Sequence, residues 1–169
     1  MSRDGLAKRR WIATAALSAT LAATAALVAS SDDEASAATG TLKFREVTQG
    51  SRGFEVRGES AAASGRVARS ASQAATVLRG WGVDSAATRS VDFARDSAIL
   101  VMATYQQSGG YRARVSRVRM QGRQVMLTGS VRHEGGELAT QSIERPWVLI
   151  TVKRASLARA SRNVRVQLR

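Results

Sequence analysis

Apolar residues alternate with polar ones along several stretches of the chain, and this alternation predicts a protein built mainly of β-strands. A spacing of two places every second side chain on the same face of a strand, where it can be buried. Two further stretches, residues 98–103 and 147–152, are apolar at almost every position, which is typical of strands buried on both faces. The alternating stretches are marked by Leu42, Phe44 and Val47, by Phe54 and Val56, by Tyr111, Ala113 and Val115, by Val125, Leu127, Gly129 and Val131, and by Val164, Val166 and Leu168.

Glycine-containing dipeptides between these stretches predict how the central strands connect. Gly109-Gly110 separates the first fully apolar stretch from the strand that begins at Tyr111, and Gln121-Gly122 precedes the next strand. We therefore expect three consecutive antiparallel strands joined by tight turns. The parity of the apolar positions changes within the middle strand, which predicts a β-bulge near Ser116-Arg117.

The beginning and the end of the sheet are predicted with less regular connections. Residues 41–47 and 53–59, with the small-residue loop 60–65, have the pattern of a hairpin arm. In the last strand, Arg165 and Gln167 occupy the positions between apolar residues, which is typical of a charge-protected edge strand. The expected fold class is mainly β (α+β), with an antiparallel sheet or small sandwich of about six to eight strands.

One segment has helical periodicity instead. Its apolar residues fall three and four positions apart, and they form a single stripe that must pack on the sheet. Ser70 and Gln73 have the spacing of an N-terminal capping box, and Gly82 follows as a C-terminal stop signal. We therefore expect one short packing helix. The stripe consists of Ala74, Val77, Leu78 and Trp81, and Trp81 is interpreted as a core anchor.

The first 37 residues have the organisation of an export signal. Basic residues at positions 3–10 precede an uncharged, alanine-rich stretch at 12–29, and Ala35-Ser36-Ala37 fits a signal peptidase site. We expect residues 1–37 to be a signal peptide. The alternative is an uncleaved membrane anchor helix, because the uncharged stretch approaches the length that crosses a bilayer. Both interpretations predict an extracytoplasmic protein, either secreted or associated with the cell envelope.

The positive charge of the chain lies in the remaining residues. The formal net charge is +13, and the four basic residues of the leader balance its four acidic ones. Such a domain can attract polyanions. The alternative is that the arginines, which are spread evenly along the sequence with few aromatic residues, form ordinary solvated strand faces. Without cysteine, the chain cannot form disulfides or thiolate metal sites.

Residues 38–169, the chain that remains after removal of the leader, are long enough to form one domain with a hydrophobic core. The pattern of the sequence divides this part of the chain into three regions. They are residues 38–89, with the first strands and the helix, residues 90–154, a β region, and residues 155–169, a basic C-terminal extension with an edge strand.

The sequence carries no recognisable catalytic arrangement. His133 is the single histidine, and residues 133–137 match a zinc-protease HExxH motif only with its second histidine replaced by Glu137, which leaves too few zinc ligands. Asp92 and Asp96 have no helix to bring them together, and Asp92 is interpreted as a turn residue. Phosphate-binding glycine motifs are absent from the sequence. We expect a non-enzymatic protein without cofactor or metal.

Short motifs follow one another in a distinctive order between residues 90 and 154. Val91-Asp92-Phe93 precedes the first apolar strand, Ser108-Gly109-Gly110-Tyr111 follows it, and Thr140-Gln141 leads into Pro146-Trp147-Val148. This order resembles the C-terminal domain of the PrcB family, subunits of a protease complex. The resemblance implies an exported, non-catalytic protein that associates with a secreted protease and stabilises it or helps it mature. Ser108 stands where the family has threonine, and Trp147 where it has tyrosine.

Three of the predicted loops are also similar to those of chagasin-type cysteine peptidase inhibitors. These inhibitors use a "TTGY" loop, a glycine-rich loop and an "RPW" loop, and the chain has residues 108–111, Gly135-Gly136 and Arg145-Pro146-Trp147 in the same order. The distance between the last two is short for the strands of that fold, so the similarity is one of loops. The predicted partner-binding residues are Ser108, Gly109, Gly110, Tyr111, Arg145, Pro146 and Trp147.

These observations favour an exported, non-catalytic protein that associates with, stabilises or inhibits a secreted or surface protease. The alternative is a basic extracellular module that binds an anionic envelope polymer or nucleic acid. The predicted binding residues also have a purely structural interpretation. In it, Gly109-Gly110 closes a hairpin, Tyr111 and Trp147 pack inward, and Arg145 is a solvated cation.

Overall fold

The computed structural model describes residues 40–53, 61–134 and 142–169, which all belong to one compact unit. This unit is mainly β, with a sheet of eight strands and one α-helix, and the predicted fold class is thereby confirmed. The leader 1–37, most of the predicted strand 53–59, Gly135-Gly136 and Thr140-Gln141 lie outside the described residues.

The elements follow one another along the chain with short connections. The strands are β1 (Thr41–Leu42), β2 (Phe44–Gly53), β3 (Ser64–Ala68), β4 (Asp96–Met102), β5 (Tyr111–Gln121), β6 (Gln124–His133), β7 (Glu144–Lys153) and β8 (Asn163–Leu168). The helix α1 spans Ala71–Gly80 and lies between β3 and β4 in the sequence.

The sheet curls until it is nearly barrel-shaped. Its strand order is β1-β5-β6-β8-β3-β4-β7-β2. The two outer strands, β1 and β2, are separated in the sequence only by Lys43. One short stretch of chain therefore pairs first with β5 and then with β7, and it draws the two edges of the sheet together.

The inner face of the curled sheet holds the larger hydrophobic core. The central strands β4 and β7 are buried on both faces, as their continuous apolar sequences predict. Their inward residues meet those of β5, β6 and β8 across the interior. Buried inward residues include Ile99, Val101, Val148, Ile150 and Val152 from the central strands, with Val67, Ala113, Val118, Val125, Leu127 and Val164 from β3, β5, β6 and β8.

The helix α1 covers the outer face of the sheet and forms a second core there. Ala74 and Leu78 pack with outward residues of β3, β4 and β7, such as Leu100 and Leu149. Trp81 is half-buried against this cluster. The helix thus covers the outer face of the sheet at β3, β4 and β7.

Both predicted ends of α1 are confirmed. The Ser70 hydroxyl accepts a hydrogen bond from the Gln73 N–H at 3.2 Å. The Gln73 amide oxygen accepts from the Arg69 N–H at 2.9 Å, one residue before the expected partner. At the other end, Gly82 adopts a φ of 66°, and the Val83 N–H reaches the Leu78 carbonyl at 2.8 Å, as in a Schellman motif.

Two local predictions for β5 and β6 are also confirmed. The register shifts between Val115 and Arg117, so Ser116 is the extra residue of a bulge. The turn from β5 to β6 contains Gly122 with a φ of 58°. Gly129 lies beside the bulge, where an added Cβ would stand 2.1 Å from the Arg114 carbonyl oxygen, so the two strands approach too closely there for any side chain.

Several predicted connections are wrong. β4 pairs with β3 and β7 but not with β5, so the three strands are not consecutive in the sheet. β8 is an interior strand, parallel to β6 and antiparallel to β3, and not an edge. The segment 41–47 pairs with β5 and β7, and β3 begins at Ser64, inside the predicted loop 60–65.

Candidate functional site

The segment Ser108-Gly109-Gly110-Tyr111, called the 108–111 turn below, joins two strands that are not neighbours. After β4 the chain runs beside the start of β7, where Gln106 and Glu144 exchange backbone hydrogen bonds of 2.8 and 3.0 Å. It then turns at residues 108–110 and enters β5. The 108–111 turn is therefore part of a crossing connection, and the interpretation that Gly109-Gly110 closes a hairpin is wrong.

Gly110 is the exposed point of this turn. Its φ of 86° is in the left-handed region, which glycine adopts without strain. Gly109 is buried, while Ser108 and Tyr111 are half-buried. The Tyr111 ring makes an edge-on contact with the His133 ring, with centroids 5.1 Å apart.

A surface cleft lies beside Gly110. It is lined by Gly50 and Ser51 of β2, by Gly110 and Tyr111, and by Arg112 and Glu134. The Glu134 carboxylate is shared by two arginines, at 3.1 Å from Arg112 and 2.6 Å from Arg114. The sequence does not predict that β2 lines this cleft, because nothing in residues 44–53 indicates which strand they pair with.

Arg145 lies inside the protein and is not a solvated cation. Its exposed fraction is 3%. Its Nε donates to the Ala103 carbonyl at 2.7 Å, and its Nη2 donates to the Ala62 carbonyl at 2.7 Å. The guanidinium carbon also stands 5.0 Å from the centre of the Tyr105 ring. Arg145 thus ties β7 to the segment before β3 and to the connection after β4.

Pro146 and Trp147 are buried as well. Trp147 is 8% exposed and packs in the helix-side core. Its indole ring lies over Gly50, where an added Cβ would stand 3.0 Å from the ring. The prediction that Trp147 is buried is therefore confirmed, although it packs under the helix and not inside the curled sheet. The missing side chain of Gly50 makes room for the indole ring.

Burial separates the seven predicted partner-binding residues into two groups. Ser108, Gly110 and Tyr111 are at least partly exposed, and Gly110 and Tyr111 line the cleft, while Gly109, Arg145, Pro146 and Trp147 are buried. The two predicted loops meet indirectly, because Gly50 contacts Trp147 on one side and lines the cleft with Gly110 on the other. Partner binding by all seven residues stays a prediction. Direct contact can come only from the exposed group.

The polar residues singled out by sequence reasoning have structural contacts. Asp92 accepts a hydrogen bond from the Ala94 N–H at 3.0 Å, which confirms its turn role. Asp96 pairs with Lys153 at 3.1 Å, and His133 is the exposed last residue of β6. Within residues 40–53, 61–134 and 142–169, no group of three or more His, Asp or Glu side chains is placed to hold a metal ion.

Arginines that are spread along the sequence come together on the outside of β5, β6 and β8. Their neighbours in the same strands point inward to the core, so each arginine points outward. Six of them are exposed and Arg119 is half-buried. This group, the arginine face, consists of Arg112, Arg114, Arg117, Arg119, Arg132 and Arg165, together with Arg169 directly after β8.

No family model, curated protein or solved structure matches the chain. Among residues 40–53, 61–134 and 142–169, no helix combines the length and the hydropathy that a bilayer-spanning segment needs.

Proposed function

We propose that this chain is an exported, non-catalytic protein that binds a secreted or surface protease and thereby stabilises or inhibits it. The motif order that resembles the PrcB family supports the partner class. The position of the 108–111 turn beside the surface cleft supports this turn as the site of contact with the protease. The proposal uses only the exposed residues of the turn and the cleft, with the buried Arg145 and Trp147 as their support.

The observation that carries the proposal is the exposure of Gly110 in a connection that no hairpin requires. A turn between paired strands needs glycine for its own geometry. This turn joins strands that do not pair, and it presents a left-handed glycine beside a cleft. Backbone without a side chain lets a partner approach closely. Such a contact also costs little entropy, because the surrounding β-strands already hold the turn.

The test is capture of a peptidase by the full-length chain. Secreted proteins of the producing cell are passed over the immobilised chain, and the retained proteins are identified by mass spectrometry. We expect a peptidase to be retained by the wild type and lost by Gly110→Val, because a branched side chain at this φ obstructs the contact. Covalent active-site probes for serine and cysteine peptidases, added only after capture, separate the two effects: an inhibitor blocks the probe, whereas a stabiliser leaves the peptidase reactive.

Gly122→Val is the matched control. Gly122 also has a positive φ, and it lies at the opposite end of β5. The strain in the fold is therefore similar, and the cleft is untouched. The proposal is contradicted if both variants retain the peptidase equally, or if the folded wild-type chain retains none.

A further inference from the structure

The outward arginines of β5, β6 and β8 form a strongly charged surface that shares only Arg112 with the cleft of the proposed protease contact. We propose that the arginine face binds a linear polymer of phosphate groups and recognises it through the phosphates alone. This inference does not rest on the proposed function. Its key residues, Arg117, Arg119 and Arg165, do not line the cleft.

Acidic residues are scarce on the arginine face, whereas the rest of the described surface carries both acidic and basic residues. On the arginine face, Glu134 is the one carboxylate paired with an arginine among the described residues. The other described acidic residues belong to β2, to the segments around α1, or to the starts of β4 and β7. The half of the sheet opposite the helix therefore has a positive potential that attracts a polyanion.

The strand register places some of these charges directly against each other. Arg112 of β5 is the partner of Arg132 of β6, and like charges at opposed positions destabilise a sheet. Arg119 and Arg165 flank Met126 from its two sides. Glu134 offsets part of the repulsion at Arg112, and a bound anion lying across β5, β6 and β8 would reduce what remains.

The chemistry of the face favours phosphate over nucleobase recognition. Guanidinium groups bind phosphate oxygens in pairs, which the ammonium of lysine does not do. Alternate residues along a strand are about 6.8 Å apart, so the arginines form a regular series of anion contacts. No outward position of the described β5, β6 and β8 carries an aromatic residue, so the stacking platforms of single-strand binders are missing.

The test compares two variants of the full-length chain with the same loss of charge. The face variant carries Arg117→Gln, Arg119→Gln and Arg165→Gln. The control carries Arg79→Gln, Arg89→Gln and Arg95→Gln, which are exposed residues in and after the helix. Binding of short-chain inorganic polyphosphate is measured over a series of salt concentrations, after equal melting temperatures have shown that both variants are folded.

We expect the face variant to lose at least about tenfold in affinity at 0.1 M salt, and the slope of log K against log salt to fall by about 2, since each lost contact removes roughly 0.7. The control should keep the wild-type slope. Equal losses in both variants, or no binding of polyphosphate by the wild type, would overturn the proposal. An oligodeoxythymidylate of equal phosphate number that binds more than about tenfold tighter would also overturn it, since that gain would come from the bases.

Discussion

At the scale of single residues, Arg145 shows how the fold can invert an expectation drawn from residue type. Arginine is usually exposed, because burying its charge is costly unless its donors are satisfied. In this protein the guanidinium donates to two backbone carbonyls and stacks near Tyr105. Those carbonyls come from segments far apart in the sequence. No local pattern around Arg145 can reveal them.

We predict that Arg145→Met destabilises the protein by about 2–4 kcal/mol, because the carbonyls of Ala103 and Ala62 lose their donor. The midpoint of urea unfolding measures this effect. Arg89→Met is the control, since Arg89 is exposed, and it should change the stability by less than about 0.5 kcal/mol. Equal midpoints for the two variants would show that Arg145 does not hold these segments together.

At the scale of elements, the helix could be predicted with both ends because its signals are local. The apolar stripe, the Ser70 cap and the Gly82 stop all lie within one short stretch, and each acts on backbone groups of that stretch. The strands β4, β5, β6 and β7 could be recognised for the same reason. β3 could not, since Ser64 and Gly65 carry no strand pattern, and Gly65 is needed only because Val164 of β8 packs against it.

The same substitution should have opposite effects at Gly80, the last residue of α1, and at Gly82, just after the helix. Gly82→Ala forces a side chain into a left-handed φ and should destabilise the protein by about 1–2 kcal/mol. Gly80→Ala lies in the last helical turn with no atom near the new Cβ, and it should stabilise by about 0.4–1 kcal/mol. Thermal unfolding of both variants measures the pair. An unchanged or higher stability of Gly82→Ala would contradict the C-terminal cap.

At the scale of the whole molecule, the neighbours of each strand could not be predicted. Alternation determines which face each side chain occupies, but it does not specify the adjacent strand. β8 illustrates this: its apolar residues predict a strand, and its charged residues suggest an edge, yet it lies between β6 and β3. The arginine face was missed for the same reason, because it exists only when β5, β6 and β8 are adjacent.

The strand order determines both the closure of the sheet and the position of the arginine face. Engineered disulfides can measure it, because the chain has no cysteine of its own. Met126 and Arg165 are register partners on the outer surface of β6 and β8, within the range of Cα separations that a disulfide spans. We predict that the Met126→Cys, Arg165→Cys variant forms an intramolecular disulfide in the folded state, detected by mass spectrometry. The control variant carries Arg45→Cys in the outer strand β2 and Arg165→Cys in β8. These strands are not neighbours in the sheet, so its two thiols should stay reduced. A reduced Met126–Arg165 pair, or a linked control, would contradict the strand order and the arginine face that depends on it.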